Sequence, residues 1–307
     1  SRGATRIRVG LAQRTGTHGT TACEVLDMTT PTILIPAHDE AFVIERTLNH
    51  MRIGMLPGEF RIVVIANACE DDTAAIARQV APEAMVIETP RASKTHALNI
   101  GRLAAPPGAP IIFLDADLEV TAEALRALVA PLLRGAALAT CGSMNVLTDA
   151  SSPIVRDYYR GWRLNPYFGR GKFGGLFALS DKGAARVFPL PDVIADDEFI
   201  RRSFSLAETA FVPECVFTAR APTRLSNVIS VRQRSLRGAQ AIAQMGYPSP
   251  EKGSVRAMVR QVLKRPSEAY PFAIFAAVTA WTRLLLALEG GRPPVRWERD
   301  LTSRAGG

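Results

Sequence analysis

An α/β fold follows from three features of this 307-residue sequence: a Rossmann-like, mostly parallel central sheet flanked by helices, with a helical C-terminal extension. Short apolar runs rich in β-branched residues recur as TILIP from Thr32, RIVVIA at Arg61–Ala66, MVIE at Met85–Glu88 and IIFL at Ile111–Leu114. Segments of helical character separate them, and strands alternating with helices of about ten residues make βαβ units with right-handed crossovers. Hydrophobic residues are 47% of the chain, which excludes a disordered protein and suffices for a sizeable core.

The first strand is followed by a helix over Ala41–Met51, the second by a helix over Asp71–Val80, and the third by one over Lys94–Leu103. Asp71, Asp72 and Thr73 suit a helix start, because their oxygens accept orphan amide hydrogens, and capping alone accounts for them. Lys94 opens its helix, where it can meet a phosphate or stand in solvent. The fourth strand runs into Asp115-Ala116-Asp117. In open α/β sheets the ligand crevice lies outside the carboxyl ends of the strands, and carboxylates one residue apart can share a hard cation there. With 13 Asp in the chain, Asp-x-Asp arises by chance roughly 0.5 times, so its surroundings carry the argument. A helix over Thr121–Leu133 and a strand over Ala137–Cys141 follow, and beyond Ala150 the chain turns aromatic and Gly-rich. No Walker-type Gly-x-x-x-x-Gly-Lys-Ser/Thr occurs, which argues against a P-loop phosphatase.

Cys23, Cys69, Cys141 and Cys215 are dispersed, so neither a zinc site nor a disulfide framework is expected, and a reducing cytosol fits. Residues 1–28 are polar and aperiodic, and are read as a loosely ordered arm rather than a signal peptide. The net charge of +8 is concentrated: residues 216–307 carry fifteen Lys and Arg against five Asp and Glu. A solvated basic face, nucleic acid, an anionic membrane surface or a phosphate-bearing substrate each fits that excess. Pro271–Leu288 holds one charge, Arg283, in 18 residues. Such a segment is buried, laid on lipid or a partner's binding face, while Arg283 opposes a full span. In the final stretch from residue 290, Trp297 is expected to pin the tail to the core.

Six blocks in one order, ILIPAHDEA, NACEDDT, KTHALN, FLDADLEV, FGGLFALS and ADDEFIRR, resemble the inverting family 2 glycosyltransferases over about Thr32–Gly238. The resemblance implies the glycosyltransferase A fold, with residues 1–29 as the arm, 30–238 as the catalytic domain and 239–307 as the basic, apolar extension. Residues 30–120 would then be the nucleotide-binding half and 121–238 the acceptor half. It implies that Pro36, Ala37, Asp39, Glu40, Asn67 and Asp71 or Asp72 surround the base and ribose. Lys94 and Ala116 would lie along the donor, and Gly174 and Gly175 would shape the sugar pocket. Asp117 and Asp115 would hold Mg²⁺ or Mn²⁺, a cation that prefers oxygen ligands and keeps positions for phosphate. Asp197 matches the family's catalytic base, with Asp196 standing where the family has Glu. An acidic run before Phe199-Ile200 also fits a plain helix N-terminus. Two adjacent carboxylates do not ionise independently, so one is expected to have a raised pKa.

Arg232, Arg234 and Arg237 read as a cluster suited to forked phosphate contacts, with Arg234 over the diphosphate, or as a face meeting solvent or lipid. Ala68 stands where the family often has Asp, and the Gln-x-x-Arg-Trp block of processive synthases is absent, which argues against unaided polymer synthesis. The resemblance implies a metal-dependent enzyme using a nucleotide sugar, UDP-sugar favoured, and a saccharide or lipid-linked acceptor in surface glycan or glycolipid synthesis. The place implied is the cytoplasm, or its membrane face through the C-terminal segment. A sugar-phosphate nucleotidyltransferase is disfavoured because the loop after the first strand, Pro36-Ala37-His38-Asp39, is not Gly-rich. A nucleic-acid-binding protein is disfavoured by the lack of interleaved aromatic and basic residues on strands.

Overall fold

The computed structural model describes residues 30–166, 168, 173–249 and 255–289. The expected N-terminal arm and the tail with Trp297 lie outside the described residues. The first half forms as the apolar runs dictate: β1 (Thr32–Ala37), β2 (Arg61–Asn67), β3 (Met85–Thr89) and β4 (Ile111–Leu114) pair in parallel in the order β3-β2-β1-β4. Their connections are α1 (Ile44–Arg52), α2 (Thr73–Val80) and α3 (Lys94–Leu103). Alternation along β1 divides the core. Ile33 and Ile35 pack with Leu48 and Met51 of α1, whereas Leu34 packs with Leu98 of α3 on the opposite face. Each such fully buried aliphatic side chain contributes about 1.5–3 kcal/mol.

Two helices start later than the sequence suggests. The amides of Val43 and Ile44 both donate to the Glu40 carbonyl oxygen, so residues 41–43 form a turn before α1. The Asp71 carboxylate accepts the Thr73 amide from outside the helix, and α2 begins at Thr73.

The second half comprises β5 (Glu119–Val120), α4 (Ala122–Leu133), β6 (Ala139–Leu147), α5 (Pro153–Arg163), β7 (Leu176–Leu179), α6 (Asp181–Val187), α7 (Asp196–Arg202) and β8 (Thr209–Arg220). The sheet continues β4-β7-β6-β8-β5. β7 runs antiparallel to both β4 and β6, β8 is parallel to β6, and β5 is antiparallel to β8. β6 extends well past the expected Cys141 because β8 pairs with it along its whole length. The register jumps from Gly142 opposite Val212 to Ser143 opposite Val216, and the bulged residues include Pro213, which has no amide to offer a ladder.

Three helices finish the described chain: α8 (Leu225–Gln244), α9 (Val255–Lys264) and α10 (Ala269–Leu288). α8 passes without interruption through residue 238. α10 lies along α5 at a contact only glycine permits, since a Cβ on Gly161 would overlap the Pro271 carbonyl. Ion pairs hold both ends of α10, Glu268 to Arg160 at 3.2 Å and Glu289 to Arg237 at 3.1 Å. Gly161→Val should therefore lower unfolding stability by about 1–3 kcal/mol in urea titrations, the usual cost of overpacking; unchanged stability would mean that the two helices separate at no cost.

Candidate active site

The strand order reverses at β1, between β2 and β4, so the loops after these three strands open into one crevice. Side chains lace the first two loops together. The Asn67 amide donates to the Ala37 carbonyl at 2.7 Å, and His38 donates from Nδ1 to the Asn67 carbonyl at 2.7 Å. Asp39 accepts the Glu70 amide at 2.6 Å, Asp71 accepts the Ala41 amide at 3.1 Å, and the Glu40 amide donates to Thr73 Oγ1 at 2.7 Å. Asp39 and Ala68 take left-handed φ values of 49° and 50° at the turning points. Of the residues expected around the base and ribose, Pro36, Ala37, Glu40 and Asn67 are buried, Asp39 is half-buried, and Asp72 is the exposed residue preceding α2. Asp71 fastens the two loops to each other. Ligand atoms of His38, Asp39 and Cys69 lie within 4.8 Å of one another, and the Asp39 amide points at Cys69 Sγ. Burial pushes the Cys69 thiol up, and the hydrogen bond from the Asp39 amide ties the first loop to the second here.

The centre of the crevice is Lys94, the first residue of α3, whose ammonium lies 2.7 Å from Asp115 Oδ1 and 3.0 Å from Asp196 Oδ2. Burial opposes its charge, yet Asp115, Asp196 and Asp197 together hold the ammonium above the ordinary lysine range. Asp196 is 4% exposed, and burial, opposed by Lys94, raises its carboxyl pKa. The three acids at the start of α7 part company. Asp196 turns inward to Lys94, Glu198 pairs with Arg201 and Arg202, and half-buried Asp197 accepts the Glu198 amide at 2.8 Å. Asp192 ties the loop before α7 to the start of α3, accepting from Arg91 at 2.8 Å and Ser93 at 3.2 Å.

Asp115 is fixed from the other side by β7. Its amide donates to the Gly175 carbonyl at 2.9 Å, and Gly175, at φ 82°, leaves room where a Cβ would stand 2.6 Å from Asp115 Oδ2. Gly174 precedes it in the same turn. The buried Ala116 carbonyl accepts Thr47 Oγ1 from α1 at 2.7 Å, which fixes the turn that carries Asp117. Half-buried Asp117 lies close enough for its charge to act on Arg46, which pairs with Glu119 at 3.0 Å; Glu119 also holds Arg220 at 3.0 Å. Sequence reasoning missed this Arg46–Glu119–Arg220 group. Only the position of Glu119, two residues past Asp117, hinted at it.

The expected arginine cluster disperses around α8. Arg237 pairs with Glu289, and Arg232 lies near Tyr158 of α5. Arg234 is half-buried one turn before Gly238, and a Cβ on Gly238 would stand 2.6 Å from the Cβ of Ala195, the residue preceding Asp196. Residues four apart share a helix face, so Arg234 sits on the face turned to the start of α7. Hard carboxylate donors at Asp115 and Asp117, beside a cation-bearing helix start, fit a divalent metal with an anionic ligand. Removing one member of a buried ion pair strands the other. Lys94→Met should lower stability of the metal-free protein by about 3–5 kcal/mol near neutral pH. Burial holds the Asp196 carboxyl above its unfolded value of about 3.9 even beside Lys94, and with Lys94 gone the stranded carboxylate is relieved by taking up a proton, so the deficit should shrink as pH falls toward about 4. Urea titrations showing a pH-independent deficit would contradict this.

Comparison with known proteins bears on the family and the fold. The sequence model of glycosyl transferase family 2 matches residues 32–185, half of the chain. Among solved structures, a mannosyltransferase from Pyrobaculum calidifontis, in complex with GDP-Man and Mn²⁺, is 19% identical with a TM-score of 0.56, over 85% of this chain and 79% of that one. Glucosyl-3-phosphoglycerate synthase from Mycobacterium tuberculosis, in complex with Mn²⁺, UDP and glucosyl-3-phosphoglycerate, is 20% identical with a TM-score of 0.52, over 76% and 88% of the two chains. At these identities the likeness is one of fold. No curated protein matches the chain. By its sequence and its α/β fold, the chain belongs to glycosyl transferase family 2, a family of transferases.

Proposed function

We propose that this transferase is inverting and divalent-metal-dependent, and that it moves a sugar from a nucleoside-diphosphate sugar, UDP-sugars foremost, to a hydroxyl of a saccharide or lipid-linked acceptor. The observation that carries the reading is Lys94 held between Asp115 and Asp196, which joins the nucleotide half of the crevice to α7 through one ammonium. In this reading Pro36, Ala37, Asp39, Glu40, Asn67 and Asp72 border the base and ribose, Gly174 and Gly175 give the donor sugar room, and Lys94 and Arg234 face the diphosphate. Mn²⁺ or Mg²⁺, held by Asp117 and Asp115, would neutralise charge on the departing diphosphate. The acceptor oxygen forms its bond to the anomeric carbon as the bond to the diphosphate oxygen breaks, and a single displacement inverts that carbon.

The proton of the acceptor hydroxyl goes to Asp197. Its half-exposed carboxylate, beside a buried Asp196 committed to Lys94, supports that assignment over the reverse one. Asp196 positions Lys94 and the start of α7. The nucleotides in the related complexes, the donor GDP-Man in one and UDP in the other, support a nucleoside diphosphate without choosing the base. Surface glycan or glycolipid synthesis is the setting proposed.

Metal-dependent release of nucleoside diphosphate from a panel of nucleotide sugars, with and without acceptors, tests the reading. Asp197→Asn should spare donor binding and lower turnover by about 10²–10⁴-fold. Full turnover in Asp197→Asn would reassign the base. Arg234→Ala should raise the donor KM, and an unchanged KM would remove Arg234 from the diphosphate.

A further inference from the structure

The C-terminal helices carry a surface that the transfer reaction does not use. On α9, Met258 is buried against the protein, whereas Val255 (66% exposed), Val259 and Leu263 (75% exposed) stand in solvent along one strip. Helical spacing of 100° per residue sets Arg256, Arg260 and Lys264 on the arc next to that strip, and all three are exposed. α10 is divided in the same sense. Pro271, Val278 and Thr282 face inward, while Tyr270, Ala273, Ala277, Trp281, Leu284 and Leu288 form one exposed face. Arg265, in the joint between the helices, and Arg283, at the margin of that face, are exposed too. The acids among the described residues 255–289 are Glu268 and Glu289, and both are consumed in ion pairs with α5 and α8. Apart from the neutral Gln261 and Ser267, the large side chains that remain outward are apolar or cationic.

We propose that α9 and the outer face of α10 dock this protein on an anionic lipid bilayer surface. The proposal deepens the reading of a lipid-linked acceptor and rests on it only for its purpose, since docking needs no catalysis. An amphipathic helix with basic residues beside its apolar strip is what sinks about 5–10 Å into the headgroup region, and Trp and Tyr suit that depth. Charge complementarity selects the occupant. Five exposed cations beside unpaired apolar side chains meet lipid phosphates and acyl chains at once, whereas a second copy of the same face would set like charges together. Pro266–Leu288 is long and apolar enough to cross a bilayer by length and composition. Its ends, though, are ion-paired to the catalytic body, and Gly161 holds Pro271 against α5, so the helix lies along that body instead of leaving it.

The test is cosedimentation of the full chain with phosphatidylcholine vesicles, with and without phosphatidylglycerol, alongside nucleoside diphosphate release in solution. Binding should require the anionic lipid, fall with added salt, and drop about five-fold for each charge removed in Arg256→Gln and Arg260→Gln. Leu263→Asp and Trp281→Asp, at exposed sites, should abolish binding and leave nucleoside diphosphate release unchanged. No binding at low salt, equal binding to neutral vesicles, or binding indifferent to these variants would overturn the proposal. So would a dimer in sedimentation that Leu263→Asp dissociates. Vesicle binding without any metal-dependent release would leave docking standing and sink the transferase reading, so the two fail separately.

Discussion

One ammonium lets the crevice exist. Asp115 arrives from β4, while Asp196 and Asp197 arrive from α7, and their convergence in a partly desolvated place is unfavourable without a cation among them. Lys94 supplies it from the start of α3. The surrounding fold reads as the means of holding that contact: Gly175 gives Asp115 its space, Thr47 fixes the turn that follows, Asp192 fastens the loop before α7 to α3, and Gly238 admits Ala195 against α8. Carboxylates still outnumber cations at the centre, and in the proposed reading a divalent ion would offset that imbalance.

The first half of the sheet was legible because its strands are buried on both faces, and continuous apolar runs report that directly. β1 to β4 and α3 stand where periodicity places them. The second half was legible only in part: α4 stands where the helix over Thr121–Leu133 was expected, but the strands beyond it do not. β8 carries Pro213 in a bulge and exposed residues around it, so it lacks a strand's alternation, and the true length of β6 depends on that unseen partner. The active-site candidates were legible only as blocks in order, each weak alone. Asp196 and Lys94 are about a hundred residues apart, and nothing local in either shows that they meet. Arg232, Arg234 and Arg237 looked like one cluster because they are close in sequence, but Arg232 lies near Tyr158 of α5 and Arg237 is drawn to Glu289 at the end of α10.

The C-terminal segment shows a different limit. Apolar residues on all sides of Pro271–Leu288 fit burial and lipid equally well, because composition does not say which side has a partner. Packing on α5 and α8 supplies that distinction and leaves one face uncovered. Placing the end of the catalytic domain at residue 238 likewise followed the end of motif resemblance, whereas α8 runs through that position as one helix.

The claim on which the rest depends is that the Lys94 crevice takes a nucleoside diphosphate together with a metal. Calorimetric titration of UDP and of GDP, each with Mn²⁺ and again with EDTA, measures it directly. The account predicts one-to-one binding of at least one of them with Mn²⁺, lost in chelator and in Asp117→Ala. Equal affinity in chelator, or no binding of either nucleotide to a folded protein, would contradict it.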